Sequence, residues 1–102
     1  MSILAELYAT IRARKGADAQ ASYTASLLGK GPAKCAEKFG EEAVETIIAA
    51  IQADRANLTY EAADTVYHLM VLLASLDVDW AAVEAELARR QGLSGHAEKA
   101  AR

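Results

Sequence analysis

Alanine constrains the fold of this chain more than any other feature, because it fills 24 of the 102 positions, against six glycines and one proline. Alanine has the highest intrinsic helix propensity, and so few glycines and prolines supply little of the turn chemistry that an all-β fold needs. The length also matches one domain of about 100 to 150 residues. The sequence therefore predicts an all-α protein with a single domain over residues 1–102.

The spacing of the apolar residues divides the chain into four or five helices. The first spans residues 2 to about 15 with Ser2 as its N-cap, and a polar loop follows over residues 16–21. Ser22 is placed to cap a short helical segment that ends near residue 28. Pro32 fits the first position of a long helix that continues to about residue 53. Short connections between helices favour a bundle.

Two further helices are expected in the C-terminal half. One runs from residue 58 to about 76, with Asn57 as its N-cap. The other runs from residue 80 to about 91, with Asp77 or Asp79 as its N-cap. Gly92 then fits the left-handed position that often ends a helix.

Charge and composition exclude several classes of function. The net charge is −3, so the chain as a whole has no electrostatic attraction to nucleic acid. The uncharged stretch over residues 65–76 is shorter than the roughly 20 residues that span a bilayer. Cys35 is the single cysteine, which excludes an intrachain disulfide and fits a small packing residue. We therefore expect a cytoplasmic protein that binds neither nucleic acid nor a membrane.

The helix over residues 58–76 is apolar on every face in its C-terminal half, which is typical of a fully buried helix. Three other helices of a short chain do not cover it completely. We therefore expect a homodimer or a higher oligomer in which a partner subunit packs on it. His68 in this helix fits an interior or interface residue with a hydrogen bond better than a metal ligand.

Two pairs of acidic residues occur at i, i+3 spacing, Glu42 with Glu45 and Glu61 with Asp64. This spacing puts both side chains of a pair on one face of a helix. The two helices are joined by a short break and should lie antiparallel, so the pairs can converge. Carboxylate oxygens suit Mg²⁺ or Mn²⁺. On spacing alone, ordinary solvated surface acids remain the alternative.

These two motifs, Glu42-Ala-Val-Glu45 and Glu61-Ala-Ala-Asp64, resemble the ExxE…ExxD signature of the MazG-type all-α nucleoside triphosphate pyrophosphohydrolases. Neighbouring segments narrow the resemblance to the phosphoribosyl-ATP pyrophosphohydrolase family of histidine biosynthesis. These segments are Ser22–Ala25, Lys30–Lys34, Lys38–Glu45, Tyr67-His68, Arg90–Gly95 and Glu98–Arg102. The resemblance covers the chain from about Ser22 onward, with Cys35 a conservative departure, and the first helix matches in pattern only.

The resemblance implies a four-to-five-helix MazG-type bundle that forms an intertwined homo-oligomer. It implies Mg²⁺-dependent hydrolysis of the α–β phosphoanhydride of phosphoribosyl-ATP to phosphoribosyl-AMP and pyrophosphate. A phosphoribosyl-AMP cyclohydrolase is then a candidate functional partner. The implied Mg²⁺ ligands are Glu42, Glu45, Glu61 and Asp64. The implied substrate-binding residues are Ser22, Tyr23, Thr24, Lys30, Lys34, Lys38, Lys99 and Arg102.

Glu41 lies on the same helical face as the metal-type acids without belonging to either pair. Our hypothesis is that it orients or deprotonates the attacking water. A carboxylate crowded by others should have a raised pKa until a cation binds.

Two other functions stay open at this point. One is a housekeeping pyrophosphohydrolase of the same fold that acts on ordinary or damaged nucleotides. The other is a non-catalytic helical dimerisation module whose acids are solvated. The Ser22-Tyr23-Thr24 segment favours the first-named family over the housekeeping enzyme, because it lies outside the shared metal motifs.

Overall fold

The computed structural model describes residues 2–92. Within them the chain forms helices and no strand, which confirms the all-α class. The helices are α1 (Ile3–Ala13), α2 (Tyr23–Lys30), α3 (Pro32–Ile51), α4 (Arg55–Ser75) and α5 (Trp80–Gln91). No individual helix in this part of the chain is long and apolar enough to cross a membrane. Helices α4 and α5 together have the required length and apolarity, but the pair is bent by 115°.

The predicted starts of the first three helices are confirmed. The side-chain oxygen of Ser2 accepts a hydrogen bond from the backbone N–H of Ala5, and Ser22 accepts one from Ala25, each at 3.2 Å. Each serine thereby pairs an N–H group that the first turn of a helix leaves without a partner. Pro32 occupies the first turn of α3, where its missing N–H costs nothing.

The turn between α3 and α4 corrects the prediction that Asn57 is an N-cap. Asp54 is the N-cap instead: its carboxylate accepts a hydrogen bond from the backbone N–H of Asn57 at 3.1 Å, so α4 begins at Arg55. Ala53 has a φ of 56° and reverses the chain, and the N–H of Asp54 donates to the carbonyl of Ala49 at 3.3 Å. The break is only three residues long, which forces α3 and α4 into an antiparallel hairpin.

Helix α5 begins at Trp80 and ends at Gln91, as the sequence predicts, but the details at its two ends differ from those expected. Asp79 is the N-cap residue, yet its side chain makes no capping bond because its carboxylate pairs with Arg12 of α1. Gly92 was expected in the left-handed conformation, and this is wrong: its φ is −90° and its ψ is 4°. These angles are open to residues other than glycine, so the helix ends without a left-handed reversal at Gly92.

The core lies where α1, α2 and the start of α5 pack around the C-terminal half of α4. Its buried members are Tyr8, Ile11, Leu27, Cys35, Met70, Val71, Ala74 and Trp80. The thiol of Cys35 is 1% exposed and donates to the carbonyl of Leu27 at 3.4 Å, which confirms its packing role. Tyr8 stacks on Trp80 at 6.4 Å between ring centres and donates its hydroxyl to the carbonyl of Val78.

Among the described residues, α3 carries the largest set of exposed aliphatic side chains on one helix face, whereas Tyr60 and Val66 are the exposed large apolar residues of α4. Much of the C-terminal half of α4 is covered within this chain, with Met70 and Val71 fully buried. On α3, four aliphatic side chains spaced along one face are 47% to 79% exposed. They are Val44, Ile47, Ile48 and Ile51. We call this set the α3 apolar face.

The left-handed residue in the α3–α4 turn yields a stability prediction. Alanine pays about 1 kcal/mol for a positive φ that glycine adopts freely. We therefore expect Ala53→Gly to raise the free energy of unfolding, by up to about 1 kcal/mol. The matched control is Ala50→Gly, an exposed position inside α3, which should lower it by about 1 kcal/mol. Urea denaturation of both variants measures this, and a loss of stability in Ala53→Gly would contradict the prediction.

Candidate metal centre

The α3–α4 hairpin brings the two acidic motifs together. Glu42 and Glu45 of α3 and Glu61 of α4 each offer a carboxylate oxygen, and these oxygens lie within 4.8 Å of one another. Asp64 lies outside this group of three, but its charge acts on both Glu42 and Glu61. The convergence expected from the i, i+3 spacing is therefore present for three of the four acids, with the fourth beside them.

Two threonines that the sequence analysis did not single out join the helices beneath these acids. The Thr46 hydroxyl lies 2.7 Å from the Thr65 hydroxyl and 3.0 Å from the backbone carbonyl of Glu61. The Thr65 hydroxyl lies 3.0 Å from the backbone carbonyl of Glu42. Ala49, which is completely buried, packs in the same contact and allows a close approach. We call Thr46 and Thr65 the threonine pair.

A sequence signal for the threonine pair exists. Residues 42–46 read Glu-Ala-Val-Glu-Thr and residues 61–65 read Glu-Ala-Ala-Asp-Thr, so each acidic motif is followed directly by a threonine. In an antiparallel hairpin the two segments run in opposite directions, so one pair of equivalent positions can lie at the same level, and here that pair is the two threonines. The repeated threonine was therefore the observable clue that both belong to the contact between α3 and α4.

In the absence of a cation, the ionised forms of these acids are destabilised by burial and by one another. Burial, and then the neighbouring carboxylates of Glu45, Asp64 and Glu61, raise the pKa of Glu42 to about 7. Burial and the same crowding raise the pKa of Glu61. The Oε2 atoms of Glu42 and Glu61 are buried and have no hydrogen-bond partner within residues 2–92. The raised pKa expected for a crowded carboxylate is thus found, and the unpaired oxygens fit a bound hard cation.

Glu41 occupies a different environment from these acids. It is exposed, and its carboxylate forms an ion pair with Lys38 at 2.9 Å. The hydrogen bond and positive charge of Lys38 hold the pKa of Glu41 below its ordinary value. Glu41 therefore lies at the edge of the carboxylate group and remains ionised.

The predicted phosphate-binding cations are only partly grouped. Lys34 and Lys38 lie one turn apart on α3, where Lys34 pairs with Glu37 at 3.5 Å. Lys30 is exposed at the end of α2. Lys99 and Arg102 lie outside the residues that the structure describes.

The Ser22-Tyr23-Thr24 segment begins α2 close to α4. The Ser22 hydroxyl is engaged as the N-cap, and the Thr24 hydroxyl hydrogen-bonds the phenol of Tyr67. Tyr23 is 58% exposed, and its ring meets His68 edge-on at 6.3 Å between ring centres. Of the three residues, Tyr23 is thus the one most accessible to a ligand.

His68 is an interior residue, as the sequence predicted. It is 4% exposed, lies 4.9 Å from the ring of Tyr67, and does not belong to the carboxylate group. The hydrogen bond expected for it is not found at Nδ1, which has no partner among the described residues. Burial lowers the pKa of His68 below its ordinary value.

Comparison with known proteins identifies the family. A family model described as phosphoribosyl-ATP pyrophosphohydrolase matches residues 4–91. A phosphoribosyl-ATP pyrophosphatase of Dinoroseobacter shibae is 67% identical over 102 residues, which is all of both chains. A protein of the same name from Rhodobacter capsulatus is 66% identical over all of this chain and 99% of its own. This chain therefore belongs to the phosphoribosyl-ATP pyrophosphohydrolase family, a family of hydrolases within the MazG-like all-α superfamily.

Proposed function

We propose that this chain hydrolyses the α–β phosphoanhydride of phosphoribosyl-ATP and releases phosphoribosyl-AMP and pyrophosphate, as the second step of histidine biosynthesis. The observation that supports this most directly is the group of three carboxylates whose oxygens lie within 4.8 Å of one another in a chain of this family. The names of relatives 67% and 66% identical support the choice of substrate.

The donor set fits Mg²⁺, with Mn²⁺ as a substitute. Hard cations prefer carboxylate oxygens, and the buried Oε2 atoms of Glu42 and Glu61 have no other partner in the described part of the chain. We assign Glu42, Glu45, Glu61 and Asp64 as ligands. Bound Mg²⁺ would neutralise charge on the phosphate oxygens, which is the main requirement of phosphoryl-transfer chemistry.

Glu41 and Lys38 are proposed to act as a coupled pair. While Lys38 holds Glu41, the low pKa of that carboxyl makes it a poor base. A substrate phosphate that binds Lys38 would compete for the ammonium group and let the pKa of Glu41 return toward its ordinary value. Glu41 would then be free to orient or deprotonate the attacking water, and only when substrate is present.

Other contacts to the substrate are proposed from the family resemblance. Lys34 and Lys30 are proposed to bind phosphate oxygens, and Tyr23 is proposed to bind the ribose or a phosphate. Ser22, which caps α2, and Thr24, which bonds Tyr67 of α4, stay proposed substrate-binding residues beside it. Lys99 and Arg102 stay proposals drawn from the sequence.

We also propose that the chain acts as a homodimer or higher oligomer, covered on the α3 apolar face by a second copy. Four aliphatic side chains 47% to 79% exposed along one helix face form a continuous apolar surface, and such surfaces mark interaction sites. The face lies on the side of α3 opposite to α4, so a second copy can pack there without disturbing the hairpin.

A cytoplasmic location is proposed as well, and the buried free thiol of Cys35 is compatible with it. Phosphoribosyl-AMP cyclohydrolase, which would consume the product, remains the candidate functional partner.

The substrate assignment is tested by release of pyrophosphate from phosphoribosyl-ATP, measured with Mg²⁺ and compared with a panel of ordinary and damaged nucleoside triphosphates. We expect phosphoribosyl-ATP to have the highest kcat/KM. Preference for a nucleoside triphosphate would establish the housekeeping alternative instead. Absence of turnover with every substrate would favour the non-catalytic module.

Substitutions should separate a metal ligand from the water-activating residue. Glu45→Gln should lower kcat/KM at least about a hundredfold at a fixed Mg²⁺ concentration, since a bound cation contributes several kcal/mol to charge stabilisation. Asp64→Asn should act in the same direction.

Glu41→Gln should lower kcat without changing the Mg²⁺ concentration that gives half-maximal rate. Glu84→Gln, at an exposed acid of α5, is the control. Unchanged turnover in Glu41→Gln would remove that residue from its role.

The raised pKa of Glu42 predicts a pH-dependent gain of stability in Glu42→Gln. Below the ordinary pKa of 4.5 the carboxyl is protonated in both folded and unfolded states, so the variant and the parent should be equally stable. As the pH rises through the folded-state pKa of about 7, only the parent loses stability. After allowance for solvent screening, we expect the variant to be about 1–2 kcal/mol more stable at pH 8.

This is measured by urea denaturation at pH 4 and pH 8 in the presence of a chelator. Glu84→Gln, a carboxylate far from the others, should show no such difference between the two pH values. An equal effect of Glu42→Gln at both would contradict the raised pKa of Glu42.

The oligomer is tested by placing a charge on the α3 apolar face. Ile47→Asp should lower the molar mass measured by light scattering, because a buried unpaired carboxylate is costly at an interface. Leu87→Asp makes the same change at an aliphatic side chain of α5 that is 58% exposed, and it should leave the mass unchanged. A wild-type protein that is monomeric at micromolar concentration would refute the proposal.

A further inference from the structure

We propose that the threonine pair sets the distance between the two acidic motifs and thereby determines how tightly, and how selectively, the site binds a divalent cation. Thr46 and Thr65 are positioning residues in this inference: they touch the backbone of the residues that supply ligands, not the cation or the substrate. The inference rests on the proposed metal-binding function.

The hydrogen bonds act on the ligand residues themselves. The carbonyl groups that the two hydroxyls approach belong to Glu42 and Glu61, whose carboxylates contribute to the group of three. Within the described part of the chain, the threonine pair makes three side-chain contacts between α3 and α4, beside the side-chain contact of Glu45 with Glu61 and that of Cys35 with Ser75. The spacing of the helices at the level of the acids therefore depends on these contacts and on the packing around Ala49.

Counting protons limits which of these hydrogen bonds form together. Each hydroxyl has one proton to donate and can accept further hydrogen bonds. The distance of 2.7 Å between the two hydroxyl oxygens requires that one hydroxyl donates to the other. The accepting hydroxyl then donates to a backbone carbonyl, either across the helices at 3.0 Å or four residues back in its own helix at 2.9 Å. In every arrangement the hydrogen bond between the two hydroxyls joins α3 to α4.

Valine has nearly the shape of threonine but cannot maintain this approach. Two methyl groups pack best at about 3.5–4.0 Å, so valine at both positions should push the helices about 1 Å apart at this level. Mg²⁺ and Mn²⁺ form short bonds of about 2.0–2.2 Å with strict geometry, whereas Ca²⁺ accepts oxygens at about 2.3–2.6 Å in flexible arrangements. The wider site should therefore lose affinity for the smaller ions and keep it for Ca²⁺.

The experiment measures binding of Mn²⁺ by electron paramagnetic resonance and of Ca²⁺ by calorimetry, without substrate. The main variant is Thr46→Val with Thr65→Val, and the rescue variant is Thr46→Ser with Thr65→Ser, which keeps both hydroxyls. Thr59→Val is the matched control on α4, because the Thr59 hydroxyl donates to the carbonyl of Arg55 in its own helix, at 2.9 Å. Far-UV circular dichroism establishes that each variant is folded. If the double variant does not fold, Thr65→Val alone is used in its place.

We expect the double valine variant to bind Mn²⁺ about tenfold more weakly, the usual scale for residues that orient metal ligands, while its affinity for Ca²⁺ changes less. The serine variant and Thr59→Val should match the wild type. Mn²⁺ affinity that is unchanged in the folded valine variant overturns the inference, as does an equal loss in the serine variant. A wild-type protein that binds no Mn²⁺ refutes the metal site first, and so separates failure of the proposed function from failure of this inference.

Discussion

The repulsion among carboxylates at the contact of α3 and α4 is the interaction on which the rest of this structure depends. Three acids have carboxylate oxygens within 4.8 Å of one another, and two of these acids have a buried oxygen without a hydrogen-bond partner among the described residues. On their own, these features destabilise the fold. The hairpin exists because other contacts offset this cost: the capped turn at Asp54, the threonine pair and the close packing at Ala49. A protein that retains such a cost fits a site built to bind a cation.

Much of this arrangement could be predicted from the sequence, because it follows from helical periodicity. The i, i+3 spacing of the acids and the short break between their helices determine that the motifs meet. What sequence reasoning missed depends on single hydrogen bonds. Asp54 rather than Asn57 begins α4 because one carboxylate reaches one N–H group. Gly92 ends α5 without a positive φ, since a glycine permits a left-handed turn but does not require it.

The electrostatic environment of Glu41 is a second feature that could not be predicted from the sequence. Helical projection puts Glu41 beside the metal-type acids, and so suggests that it shares their crowding. In the structure Lys38 reaches it at 2.9 Å, and the pKa of Glu41 falls while that of Glu42 rises to about 7. Two adjacent glutamates thus differ in proton affinity because one points to a cation and the other to carboxylates. Side-chain direction of this kind is not encoded in spacing.

Helix α3 carries both part of the carboxylate group and the α3 apolar face, so its position affects both. Its side toward α4 holds Thr46 and the buried Ala49, and its opposite side presents the α3 apolar face. A helix packed on one side only is free to shift or bend away from the repulsion that its own carboxylates generate. Packing of a second copy on the apolar face would press α3 against α4 and hold the acids at the separation that a cation requires. Subunit association and metal affinity should therefore be coupled through the position of this helix.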